Sequence, residues 1–399
     1  MVRLRPADSP RRADILGGVS AATRIEELQA MFLVLADQDF AGYCPIYERI
    51  ARSIAEDDEI LSLITEHRPG STRTAVLALG ATHDLVLRDP DSELAAIYRG
   101  ENNDDPWPLF RALIIDNAPA IAATMRTRTT QTNEVGRSAN LLAVYASISR
   151  RLTRHGDDRP LAIIEIGPSA GLNLLADRFH VEYFAGDTVI GSGGDPASRV
   201  QLRCELRGTT SFPGLAGMHP IADRSGLDPA PIDITDPDDA RWLRACVWPG
   251  VPDRPERLAA AIEIARHDPP VLHHGDAVQD LGALLDSIPD HVFPIVTSTW
   301  VLAYLSRDAR LQVCEIIDRF GEGRDIAFVT GEAPSSAPWV PELSTDQLAL
   351  GTDDGTPTVF GLRMWLDGRC HTSAAALCHP HGRWMAWFDN DSEMEQRHG

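Results

Sequence analysis

Lysine is absent: all 37 basic residues of the 399-residue chain are arginine. There is therefore no Schiff-base lysine, no P-loop lysine and no Ser-Lys dyad, which excludes pyridoxal-phosphate, Walker-type ATPase and class A β-lactamase chemistry. Positive charge is scarce as well. Against those arginines stand 58 acidic residues, a formal net charge of −21. Phosphate binding needs clustered cations, so a duplex or RNA partner is not expected, and the charge mildly favours a cationic ligand. Cysteine is sparse, with six scattered residues and no Cys-x-x-Cys pair, as suits reduced thiols. No apolar run approaches the ~18 residues of a membrane span. The longest candidate, Val292 to Leu305, is interrupted by Thr297, Ser298 and Thr299. The opening segment is basic but lacks the apolar block of a signal peptide. Residues 1–20 are read as a frayed leader on a cytoplasmic protein.

From about Arg24 to His155 apolar residues recur at three- and four-residue spacing, as in "YERIARSIAEDDEILSLITEH". This predicts helices with one buried face, a helical domain over 21–156. Its last helix, near Arg137 to His155, ends in Arg150, Arg151, Arg154 and His155, cations that suit the negative end of a helix dipole. After Pro160 strand and helix patterns alternate to the end. That alternation predicts a mostly parallel sheet covered by helices, a Rossmann-like α/β domain over 157–399 with antiparallel C-terminal strands. A Gly-rich alternating stretch at about 181–215 predicts a β-hairpin insertion.

The segment "LAIIEIGPSAGLNLLADRF", Leu161 to Phe179, carries the chemistry. Gly167-Pro-Ser169-Ala-Gly171 between a strand and a helix has the form of a serine hydrolase's nucleophile elbow. Asp276 and His381 would complete the chain order of a triad. The same letters form a nucleotide-binding turn. Two glycines bend the backbone, a helix N-terminus follows, and Glu165 closes the strand where a buried acid costs several kcal/mol unless paired.

The pattern apolar-apolar-Glu-apolar-Gly-x-x-x-Gly resembles the first motif of class I S-adenosylmethionine-dependent methyltransferases, with Ser169 in place of their middle glycine. That resemblance implies S-adenosylmethionine as cofactor, with Glu165, Gly167, Ser169, Gly171 and Asn173 beside it. It also places Asp228, at the end of "RSGLD", on the ribose hydroxyls, and Asp276, in "HHGDAVQDL", on the adenine amino group. The ribose acid usually lies about 20 residues after the glycines. Asp187 is a rival at nearer spacing, and Asp276 with Gln279 also makes a helix capping box. "IVTSTWVLAYL" resembles the fourth-strand segment of small-molecule methyltransferases, which places Thr299, Trp300 and Tyr304 in the cleft.

A second resemblance spans nearly the whole chain. "QTNEVGRSANLL", "EIGPSAGLNLLADRF", "GLDPAPID", "DARWLRACVWP" and "HPHGRWMAWF" together resemble a bacterial domain-of-unknown-function family. It implies one architecture and no reaction. The polar cluster Gln131, Asn133, Glu134 and Arg137 is expected at the cofactor or substrate, or alternatively as a capped helix start. The expected function is methyl transfer to a small molecule, with Glu134 or Tyr304 as general base. The alternatives are a non-catalytic ligand-binding protein of the same fold and a hydrolase using Ser169. No metal site is expected: "CHTSAAALCHPHG" matches no common zinc spacing. The oligomeric state is left open.

Overall fold

The computed structural model describes residues 21–388 apart from 68–71, 209–211, 213 and 352–355. The expected leader at 1–20 lies outside the described residues, and so does part of the expected hairpin insertion. Contacts divide the chain into two compact units. One runs to Thr130 and takes back Ala245–Pro252, and the other comprises Gln131–Arg244 and the chain from Asp253 onward.

The first unit is helical. It contains α1 (Ala21–Val34), α2 (Pro45–Ala55), α3 (Asp58–His67), α4 (Thr72–Arg88), α5 (Glu93–Tyr98), α6 (Trp107–Asp116) and α7 (Ala118–Thr127). A π-helical turn, Leu35–Phe40, follows α1. Helix α2 shows why this stretch coils. Pro45 fills its first turn, where a missing N–H costs nothing, and Ile46, Tyr47, Ile50, Ala51, Ile54 and Ala55 form its buried stripe. The returning segment belongs to this core. Trp248 stands edge-on to Phe40 with ring centroids 4.8 Å apart, Cys44 Sγ donates to Pro249 O, and His83 Nδ1 lies 3.1 Å from Ala245 O.

The second unit is built on one sheet of order β3-β2-β4-β11-β10-β9-β8-β7-β1-β5-β6. Its strands are β1 (Leu161–Ile166), β2 (His180–Ala185), β3 (Thr188–Gly194), β4 (Gln201–Leu206), β5 (Ile221–Asp228), β6 (Val271–His274), β7 (Phe293–Thr299), β8 (Ile326–Glu332), β9 (Thr358–Leu366), β10 (Arg369–Cys378) and β11 (Trp384–Trp387). The run β6-β5-β1-β7-β8 is parallel throughout. Strands β9 and β10 continue it antiparallel. The expected hairpin is present as β2 and β3. It is part of the sheet, because β2 pairs with β4 and β4 with β11.

Helix α8 (Arg137–Arg154) is the centre of this unit, and 15 of its 18 residues are buried. A helix hidden all round needs partners on every side. Strands β2 and β4 lie far from β1 in strand order, yet both touch α8 through Tyr183 Oη on Ala139 O and Cys204 against Asn140. The sheet therefore curls around α8. On the other face of β1, β7 and β8, an apolar layer including Ile164, Ile166, Val296 and Phe328 packs on Leu281 and Leu285 of α11 (Ala277–Asp286) and on Val313 and Ile317 of α12 (Arg307–Gly323). Helices α9 (Pro237–Ala245) and α10 (Arg254–His267) fall between β5 and β6 in the chain. The stretch after Gly171, expected as an α-helix, is a 3₁₀ helix over Leu172–Arg178 with a kink at Leu175.

Candidate functional site

The six residues of β1 are all buried, and β1 lies between β5 and β7. From β1 the parallel run proceeds to β5 and β6 on one side and to β7 and β8 on the other. Chain order reverses at this point, and in such sheets the connections part at the strand ends and leave a crevice. Both strand ends here carry strained backbone. Ser169, after β1, has φ +56°, and Trp300, after β7, has φ +58°. Left-handed residues other than glycine cost energy and gather at functional sites. Gly167 and Gly171, at φ +68° and +72°, complete the bend. A side chain on Gly167 would stand 2.5 Å from Val301 Cγ2, so the glycine is what admits the β7 end.

The bend is fully engaged along one edge. Gly167 N donates to Leu227 O, Ser169 N to Asp228 Oδ2 at 2.9 Å, Gly171 N to Pro168 O, and Leu172 N to Asn133 Oδ1 at 2.9 Å. Asp228 is the acid of β5 brought to this place, and its Oδ1 accepts from Ala230 N at 2.8 Å. Its carboxylate shapes the bend from within. Asp187 lies exposed in the β2–β3 turn at the far end of the sheet. Gln131 Nε2 donates to Ala230 O, and Ser138 Oγ to Asn173 Oδ1. The QTNEVGR cluster thus ties down the backbone of the bend. Asp276 is exposed and caps α11 through the N–H groups of Val278 and Gln279, while Asp280 accepts from Asp276 N in place of the expected Gln279.

Three buried oxygens near the strand ends have no hydrogen-bond partner among the described residues: Glu165 Oε2, Ser169 Oγ and Glu332 Oε2. Burial pushes the Glu165 carboxyl up to about 8, with Arg137 opposing the rise and Asp228 adding to it. Glu332 ends β8, and its Oε1 accepts from Ser298 Oγ, Val301 N and Leu302 N at 3.0–3.1 Å. Burial raises its carboxyl too.

Glu134 differs. Burial opposes its charge, but Arg254 leads the groups that overcome this and hold it well below the usual carboxylate range. Arg254 Nη2 lies 2.7 Å from Glu134 Oε2, Arg257 Nη2 3.4 Å from Oε1, and Gly136 N donates to Oε1 at 3.0 Å. A carboxylate so stabilised is a poor base. The expected role of Glu134 in proton transfer is not what this geometry favours; the side chain anchors α10. Tyr304 is 60% exposed at the rim. Trp300 is half-buried and its Nε1 donates to Thr358 Oγ1, and Thr299 O accepts from Arg137 Nη1.

Sequence reasoning missed Glu332, Arg254 and Val301. Only the apolar run ahead of Glu332, which repeats the pattern ahead of Glu165, signalled one of them. Among the described residues no three His, Cys, Asp or Glu side chains form a metal-binding group, and no imidazole hydrogen-bonds Ser169 Oγ.

The sequence profile described as "Uncharacterized protein conserved in bacteria (DUF2332)" matches residues 29–387. The chain belongs to the DUF2332 family. No curated protein matches it. In this DUF2332 member three of the segments that carry the family resemblance meet at one place. Gly136 of "QTNEVGR" and Gly382 of "HPHGRW" approach backbone to backbone, with no room for a side chain on either. Arg137 Nε donates to Pro380 O at 3.0 Å, and Asn133 reaches the bend of "EIGPSAGLN".

Proposed function

We propose that this chain is a Rossmann-like S-adenosylmethionine-binding protein that transfers a methyl group to a small molecule. One observation carries the reading. The chain order of the parallel run β6-β5-β1-β7-β8 reverses at β1, and left-handed Ser169 and Trp300 stand at the two strand ends flanking the reversal.

The residues present fit such a ligand through side-chain oxygens. Glu165 Oε2 and Ser169 Oγ are buried without partners, and a buried polar group without a partner costs free energy until one arrives. The amides of Ser169, Gly171 and Leu172 are already engaged, so Glu165 and Ser169 would hold the ligand. Asp228 and Asn133 would keep the bend in shape. When bound, S-adenosylmethionine supplies a methyl group on a positively charged sulfur. The chain's part is to position the acceptor's lone pair against it and exclude water. Glu165, pushed up to about 8, is suited to exchange a proton near neutral pH, and Tyr304 stands at the rim as the second candidate.

Calorimetry of the full chain with S-adenosylmethionine, followed by a labelled-methyl transfer screen, tests this. Saturable binding that Glu165→Ala abolishes is expected, and a folded protein that shows no heat of binding would sink the reading. Binding without transfer to any acceptor would favour a non-catalytic ligand-binding role. Ser169 at positive φ with a buried, unpartnered Oγ also meets the backbone requirement of a nucleophile elbow. A fluorophosphonate that labels wild type but not Ser169→Ala would favour hydrolysis instead.

A further inference from the structure

Arg137 is a buried cation with no carboxylate in ion-pair contact among the described residues. It is 8% exposed. Its Nε donates to Pro380 O at 3.0 Å and its Nη1 to Thr299 O at 3.4 Å. A guanidinium carries five N–H donors, and these two carbonyls are the hydrogen-bond acceptors of its side chain among the described residues. Arg254, buried more deeply at 4% exposure, has Glu134 at 2.7 Å. Glu134, Glu165 and Glu332 are the carboxylates whose charge reaches it, and none makes an ion pair with it among the described residues. Glu134 is held by Arg254 and Arg257, and Glu332 turns one oxygen to three donors of the β7 end. A buried arginine in this condition is costly unless an anion completes it.

The position of Arg137 says which part of a ligand it meets. Its bond to Thr299 O places it over the end of β7, and burial opposes its charge while Glu134 and Glu332 favour it. That is the side of β1 opposite β5, where Asp228 closes the glycine bend. We infer that Arg137 anchors an anionic group, a carboxylate or a phosphate, on the small molecule that accepts the methyl group. That the anchored molecule accepts a methyl group rests on the methyl-transfer reading; the anion anchor does not. Local charge agrees. Glu134, the one firmly ionised carboxylate here, is already shared by Arg254 and Arg257, while burial raises the carboxyls of Glu165 and Glu332.

Ligand-detected NMR on the full chain, with benzoate, phenyl phosphate and neutral benzamide as probes, tests the inference. Wild type is expected to bind at least one of the two anions and not benzamide, and the preferred anion identifies the group. Arg137→Gln should weaken that binding about tenfold or more. Arg137→Lys, which keeps the charge and loses the fork, should fall between and guards against a folding defect. Equal anion binding by wild type and both variants, or equal binding of benzamide, would overturn the anchor. Failure of wild type to bind S-adenosylmethionine, with Arg137-dependent anion binding intact, would overturn methyl transfer and leave the anchor standing.

Discussion

Glu134 and Glu165 are buried almost alike, at 5% and 2% exposure, and their surroundings treat them oppositely. Glu134 meets Arg254 at 2.7 Å and Arg257 at 3.4 Å and is held ionised. Among the described residues Glu165 has no ion-pair partner and leaves Oε2 without a hydrogen bond, and it is pushed up to about 8. Burial penalises both charges. What separates them is whether a guanidinium is close enough to compensate. The first region is a finished structural joint between the turn ahead of α8 and the start of α10. The second is incomplete, at the end of the central strand. The difference marks the Glu165 side as the place for chemistry and the Glu134 side as its frame.

The largest effect should come from breaking the joint. Glu134→Gln leaves Arg254 buried without its anion and is expected to cost about 3–5 kcal/mol, read from denaturant unfolding. A loss under about 1 kcal/mol would show that the pair is not what holds the segment. Next comes the pH dependence of the other carboxyl. The folded-state pKa of Glu165 lies above the ordinary 4.5, so the protonated form favours the fold. Its contribution is complete below about 4.5 and is lost as pH rises through about 8. Glu165→Gln, neutral throughout, should therefore flatten stability across that window and exceed wild type by on the order of 3 kcal/mol at pH 9. An unchanged pH profile would mean that Glu165 is ionised and paired after all. The smallest effect belongs to Asp276. Asp276→Ala removes an exposed cap of α11 and should cost about 1 kcal/mol. S-adenosylmethionine binding unchanged by it would confine Asp276 to capping, whereas a large loss of binding would return it to the ligand.

Much of the architecture was legible because periodicity records which atoms must leave water. The three- and four-residue spacing of α2, the apolar runs of β1, β7 and β8, and the capping signals of α11 all appear as helices and strands in place. The 3₁₀ helix after Gly171 was not legible. Leu172, Asn173, Leu174, Leu175 and Ala176 are buried together, and such a run carries no face-specific pattern to distinguish a 3₁₀ from an α-helix. Of the candidate site residues, Gln131, Asn133, Arg137, Glu165, Ser169 and Asp228 were recognisable as polar groups in apolar settings. Their partners were not.

The amino-acid sequence alone determined that an all-arginine, acidic chain would place a glycine bend after a buried strand and close that strand with an acid. Residue type and local spacing suffice for this, since they set backbone freedom and hydrophobic faces. Only the tertiary structure decided that Asp228 rather than Asp187 reaches the bend, that α8 is wrapped by the sheet, that Glu134 finds Arg254, and that Glu165 and Arg137 find no ion-pair partner among the described residues. Those outcomes depend on contacts between segments far apart in the chain. Charge pairing in a dry interior is set by which groups arrive within a few ångströms, and a linear sequence does not record that distance.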